Sequence, residues 1–185
     1  MQAYLRERLV EELLKLHDLA NRYPQNSPGF IQQTLSWMKG LEQVLTRLRH
    51  PLAGTLASRR MLLESALDGH VDTSTHSRRK AARFRAVDLL AEAEAELRNE
   101  VERIDRQFNE WRDKIAQLAA LASSQQPLPI SDPLDDAQLR LLWHQMGTAA
   151  EGANMHRYLS AVMPEADLLY LLKDVLNNLL SHGTD

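Results

Sequence analysis

The sequence predicts an all-α protein: an elongated helical bundle built on a long antiparallel helical hairpin, with shorter N- and C-terminal helices packed along it. Three observations predict this. Leu and Ala dominate a hydrophobic content of 44% while aromatics make up only 5%, a balance that suits helices better than strands. Leu97, Val101, Ile104, Phe108, Trp111, Ile115, Leu118 and Ala122 alternate steps of four and three, which places them on one helix face. No alternating strand pattern and no internal repeat occur along the chain.

Each element has its own signal. Residues 3–22 read as a first helix, with Leu9, Leu13, Leu16, Ala20 and Tyr23 as its apolar stripe. "YPQNSPG" then breaks the chain. A second helix is expected from about Pro28 to Arg49, with Ser27 as its cap and Pro28 in its first turn. It carries two adjoining stripes: Phe30, Trp37, Leu41, Val44 and Leu48, and beside them Ile31, Leu35, Met38 and Leu45. A face that broad implies at least two neighbours. Pro51 interrupts the ladder, and a third helix follows to about Leu67, closed by the polar turn "DGHVDTSTHS". The second and third helices together are expected to run antiparallel to the fourth.

The fourth helix is the strongest signal. No Gly or Pro occurs from Arg78 to Gln126, so a helix over about 78–123 is expected, roughly 65 Å long. Leu90 extends its stripe upstream, and Glu94–Arg98, Glu102–Arg106 and Glu110–Lys114 have the spacing of i,i+4 ion pairs on an exposed flank. "SSQQPLPISDP" reads as a proline-rich linker, with Asp132 capping a fifth helix from Pro133. Gly147 and Gly152 interrupt the pattern before a short helix at about Asn154–Met163. Pro164 opens the last helix, whose leucines cover most of its circumference, and Gly183 stops it. The expected division is a helical hairpin and bundle over 1–126 and a C-terminal helical segment over 127–185 packed on the same core.

Charge is unevenly spread. Residues 1–46 are neutral, 47–85 carry net +6 and 86–185 carry net −9, against −3 for the whole chain. Arg78, Arg79, Lys80, Arg83 and Arg85 concentrate the positive charge at the start of the long helix, where the helix dipole opposes it. Arg47, Arg49, Arg59 and Arg60 join this candidate surface for a polyanion or a protein partner if the fold brings them near. The compensating acid is either the chain's own C-terminal portion or a partner's surface.

Composition excludes several chemistries. Without cysteine there is no disulfide, thiolate ligand or thiol nucleophile. No Gly-x-Ser-x-Gly elbow, phosphate-binding loop or HExxH occurs. Glu102-x-x-Asp105 lacks the second acidic motif that a bundle metal site needs, and His70, His76, His144 and His156 form no ligand set with Asp72. No cofactor, metal or catalytic residue is expected.

"RHPLAGTLASRRMLLES" resembles the phospho-accepting helix of histidine kinases, but His50 directly precedes Pro51, whereas that family places its His several residues earlier. "VLNNLLSH" is similar to the Asn-bearing helix of the kinase ATP domain, without the Gly-rich boxes. "SWMKG" is similar to the His-x-x-Lys-Gly of phosphotransfer domains, with Ser36 in place of His. Each lacks a feature that its family's chemistry needs, so the sequence assigns no family.

The N-terminal "MQAYLRERLVEELLKL" lacks the apolar run of a signal peptide, and no stretch approaches a membrane span. The expectation is therefore a cytoplasmic, non-enzymatic adaptor or accessory subunit with protein partners and possible homodimerisation. The alternatives are a nucleic-acid-associated protein using the basic 47–85 segment and an enzyme with an unrecognised carboxylate site.

Overall fold

The structure, a computed structural model, describes residues 2–22, 29–68, 75–125, 129, 134–148 and 150–182. Seven helices occur among them: α1 (Gln2–Ala20), α2 (Phe30–Arg47), α3 (Leu52–Asp68), α4 (Thr75–Gln125), α5 (Asp136–Met146), α6 (Ala153–Val162) and α7 (Glu165–His182). No strand occurs among the described residues. The chain forms two compact units, Leu5–Val101 and Met1–Tyr4 with Glu102–Asp185. Their division falls inside α4, whereas the sequence reading set its boundary at the proline-rich linker.

In the unit Leu5–Val101, α1 buries Leu5, Leu9, Glu12, Leu16 and Leu19. The buried line is displaced from the expected stripe: Leu13 is half-buried and Ala20 exposed, while Glu12 lies inside. Glu12 is tolerated there because Lys15 donates to its carboxylate at 2.7 Å. In α2 the buried line is Phe30, Thr34, Met38, Leu41 and Leu45, running between the two expected stripes. Thr34 satisfies its hydroxyl by donating to the Phe30 carbonyl at 2.9 Å. The helix begins at Phe30 rather than Pro28, because Gly29 sits at φ 89, outside helical angles. Ser27 and Pro28 lie outside the described residues.

The end of α2 explains its reversal. The His50 N–H donates to the Leu45 carbonyl at 2.8 Å and the Arg49 N–H to Thr46 at 3.0 Å, with Arg49 at φ 53. This is a Schellman closure, in which glycine is the usual left-handed residue. A Cβ there is strained, so Arg49→Gly is expected to stabilise the protein by about 0.5–1 kcal/mol. An unchanged or lower urea midpoint would contradict this. Beyond the turn α3 packs back against α2, and Arg60 donates to Glu42 at 2.9 Å. The expected collinear run of second and third helices is therefore replaced by a fold-back.

The antiparallel hairpin is made by α3 and α4. Arg59 donates to Glu92 at 3.2 Å and bidentately to Glu96 at 2.6 and 2.7 Å. At the opposite end of the hairpin, beside the turn between α2 and α3, His50 Nε2 meets Glu100 at 3.0 Å. Leu52 N–H donates to His50 Nδ1 at 3.4 Å, so Nε2 carries the proton toward the carboxylate. The buried face of α4 here is Ala82, Ala86, Leu89, Leu90, Ala93 and Leu97, with alanines that let neighbouring helices approach closely.

In the other unit, α4 turns Ile104, Phe108, Trp111, Ile115, Leu118 and Ala122 inward. Of the expected heptad run only Val101 is less than fully buried. Arg112 donates to Asp174 of α7 at 2.7 Å, and α7 buries Leu168, Leu169, Leu171, Leu172, Val175 and Leu176 while exposing Tyr170 and Leu179. Among the expected i,i+4 pairs, Glu94–Arg98 forms at 2.6 Å. Arg106 instead reaches the Glu102 carbonyl, and Lys114 lies 4.9 Å from the Tyr158 ring centroid. The fifth helix opens at Asp136, with Asp135 and Gln138 forming a reciprocal capping box. That is three residues later than Pro133, which together with Asp132 falls outside the described residues, as does Gly183.

His156 clamps α6 to α5. Its ring stacks on Trp143 with centroids 4.4 Å apart, and Nε2–H donates to the Trp143 carbonyl at 3.0 Å. A Cβ on Gly147 would lie 2.7 Å from the imidazole, so only glycine fits there. Burial, with a smaller contribution from His144, holds the His156 pKa below the ordinary imidazole value, despite the opposing hydrogen bond to Trp143. The unfolded chain then takes up a proton before the folded one does. The stability contributed by neutral His156 is full above about pH 6.5 and is lost as pH falls below it. An NMR titration midpoint for His156 at or above that of an unstructured histidine would contradict this.

Candidate functional site

The candidate surface is built on the first turns of α4. Because the helix starts at Thr75, Arg78, Arg79, Lys80, Arg83 and Arg85 all lie within helix, where the sequence had set the first three at its edge. Ala82 and Ala86 are fully buried and fix which side faces inward. Arg79, Lys80, Phe84 and Arg85 are left exposed, Phe84 at 52%. The Lys80 ammonium stands 6.0 Å from the Phe84 ring centroid, at the outer limit of a cation–π contact. Neither Arg79 nor Arg85 forms an ion pair with a described residue.

The other cations are placed differently. Arg83 is half-buried with its guanidinium 5.8 Å from the ring centroid of buried Phe30, an internal contact between α4 and α2. Arg78 is also half-buried. Arg59, 11% exposed, is held by Glu92 and Glu96, and its pKa is raised chiefly by the Glu96 hydrogen bonds. Arg60 is held by Glu42 and Glu64, with its pKa raised chiefly by Glu42. Arg47 and Arg49 are exposed at the end of α2, beside the His50–Glu100 contact. Some fifteen residues of helix, about 22 Å, separate Glu100 from Arg85. The structure thus sets Lys80 beside Phe84 and leaves Arg79 and Arg85 exposed at other angles around the same turns, commits Arg59, Arg60 and Arg83 internally, and leaves Arg47 and Arg49 apart.

Other chemistry-bearing groups are few. Both ring nitrogens of His50 are engaged, by Glu100 and by the Leu52 amide, so this histidine serves the turn between α2 and α3. Among the described residues no three His, Asp or Glu side chains converge as metal ligands. His70, Asp72 and the His76 side chain lie outside the described residues. A shallow cleft between α1 and α2 is lined by Lys15, Asp18, Leu19, Arg22, Gln33 and Trp37. Its two cations are engaged by Glu12 and Gln33.

The sequence did not reveal a second stripe on α4, opposite the buried one. Ala81, Phe84, Asp88, Ala91 and Ala95 alternate steps of three and four and are all exposed. The signal was present as a heptad of small residues, but alanine in a helix is ordinarily read as a helix former rather than as a contact position. No helix among the described residues is long and apolar enough to cross a membrane. Set against known proteins, the chain matches no family model, no curated protein and no solved structure.

Proposed function

We propose that this protein is a non-enzymatic helical interaction module, a cytoplasmic adaptor or accessory subunit that meets an acidic macromolecular surface through the first turns of α4. One observation carries the reading: the contrast among the cations of the basic segment. Arg59 and Arg60 are neutralised by carboxylates within the fold. Arg79 and Arg85 stay exposed without an ion pair to a described residue, on the same turns as exposed Phe84, which Lys80 stands beside. An exposed Phe beside a cation is suited to docking, since the ring supplies desolvated area and the charges around the helix select an acidic counterpart.

Salt-dependent retention tests this. On immobilised heparin, a polyanionic probe, the protein should bind at low salt and elute steeply as salt rises. Absence of retention at low salt would refute the reading. Retention on duplex DNA much stronger than on polyglutamate at equal charge density would assign the surface to nucleic acid instead of an acidic protein.

A further inference from the structure

Resting on that reading, we infer that the acidic surface met by α4 is α4 of a second copy of this chain, paired antiparallel about a twofold axis near residues 89–90. The exposed stripe supplies the seam. With Phe84 opposite Ala95 of the other chain, Asp88 falls opposite Ala91, and the same pairs repeat on the far side of the axis. The one large side chain of the stripe thus meets a small one, as an isologous contact requires.

Charge selects the register. Arg85, Glu92 and Glu96 lie at i, i+7 and i+11, on one flank of the stripe. In an antiparallel twofold pair, like flanks face each other, so Arg85 of one chain lies between the positions of Glu92 and Glu96 of the other. Those two carboxylates share a single internal cation, Arg59, and keep one negative charge between them. Arg85 has no ion pair with a described residue within its own chain. The unmatched cation and the under-neutralised carboxylates therefore complement each other twice across the axis.

The absence of cysteine makes the test direct. Sedimentation equilibrium at tens of micromolar should give twice the 21.1 kDa of one chain. Ala95→Arg, at an exposed helix position, should retain the helical melt and raise the dimer Kd by about tenfold or more. Ala91→Cys should be cross-linked to a covalent dimer by a short bis-maleimide, and Leu14→Cys, 65% exposed on α1, should not. A 21.1 kDa species in the wild type, or an Ala95→Arg dimer as tight as wild type, would overturn the seam. A monomer still retained on heparin would overturn the second copy alone and leave an acidic partner of another kind. A monomer without retention would overturn both readings.

Discussion

Phe108→Ala is expected to cost about 3–5 kcal/mol, the largest effect of any single substitution considered. Phe108 is 3% exposed and packs between Trp111, with ring centroids 6.0 Å apart, and Tyr170 of α7 at 6.2 Å, the ring planes tilted by 32° and 41°. Removing the ring leaves a cavity between α4 and α7 that the neighbouring side chains fill only in part. Phe108→Leu should recover most of the loss. Urea denaturation followed by tryptophan fluorescence measures both, and a loss below about 1 kcal/mol for the alanine variant would show that the site is not a packed core.

Asp167→Ala is expected to be the next largest, at about 2–3 kcal/mol. Asp167 is 1% exposed, and its carboxylate accepts the Gln2 N–H at 2.8 Å and the Ala3 N–H at 3.0 Å. It therefore caps the start of α1 from a helix more than 160 residues later in the chain. The first amides of a helix have no partner of their own, and a negative charge there also suits the dipole. Asp167→Asn keeps one acceptor but not the charge, so it should fall between wild type and alanine. The diagnostic readout is amide hydrogen exchange at Gln2 and Ala3, which should accelerate in both variants. Protection unchanged in Asp167→Ala would contradict the cap.

Local periodicity made much of this architecture legible. The run from Ile104 to Ala122 is buried as its spacing requires, because a long helix with one apolar face has no competing arrangement. Hydropathy misplaced the face of α1, since it scores Glu12 as outward and cannot register that Lys15 neutralises it. It missed Thr34 for the same reason: a polar side chain satisfied by its own helix is as buriable as an apolar one. The start of α5 was misplaced because Asp132 and Asp135 both resemble caps in sequence, and only Asp135 has a glutamine at the reciprocal position. The division of the basic segment was not legible at all. Arg59 is silenced by carboxylates 33 and 37 residues away, and that pairing exists only once α3 folds back along α4.

On the proposed reading the exposed cations of α4 serve a partner and not the fold of their own chain. Changing Arg79, Lys80 and Arg85 to Gln together, with thermal melting and salt-dependent heparin retention measured on the same sample, separates the two roles. Because α4 starts at Thr75, none of the three lies in its first turn, where the dipole acts, and none has an ion pair with a described residue to lose. Measured below the dimer Kd, where self-association does not add to stability, the expected result is therefore an unchanged melting temperature, with retention weakened and its salt dependence reduced. A lowered melting temperature with retention unaltered would contradict the claim, placing these cations in the service of the chain's own acidic surface.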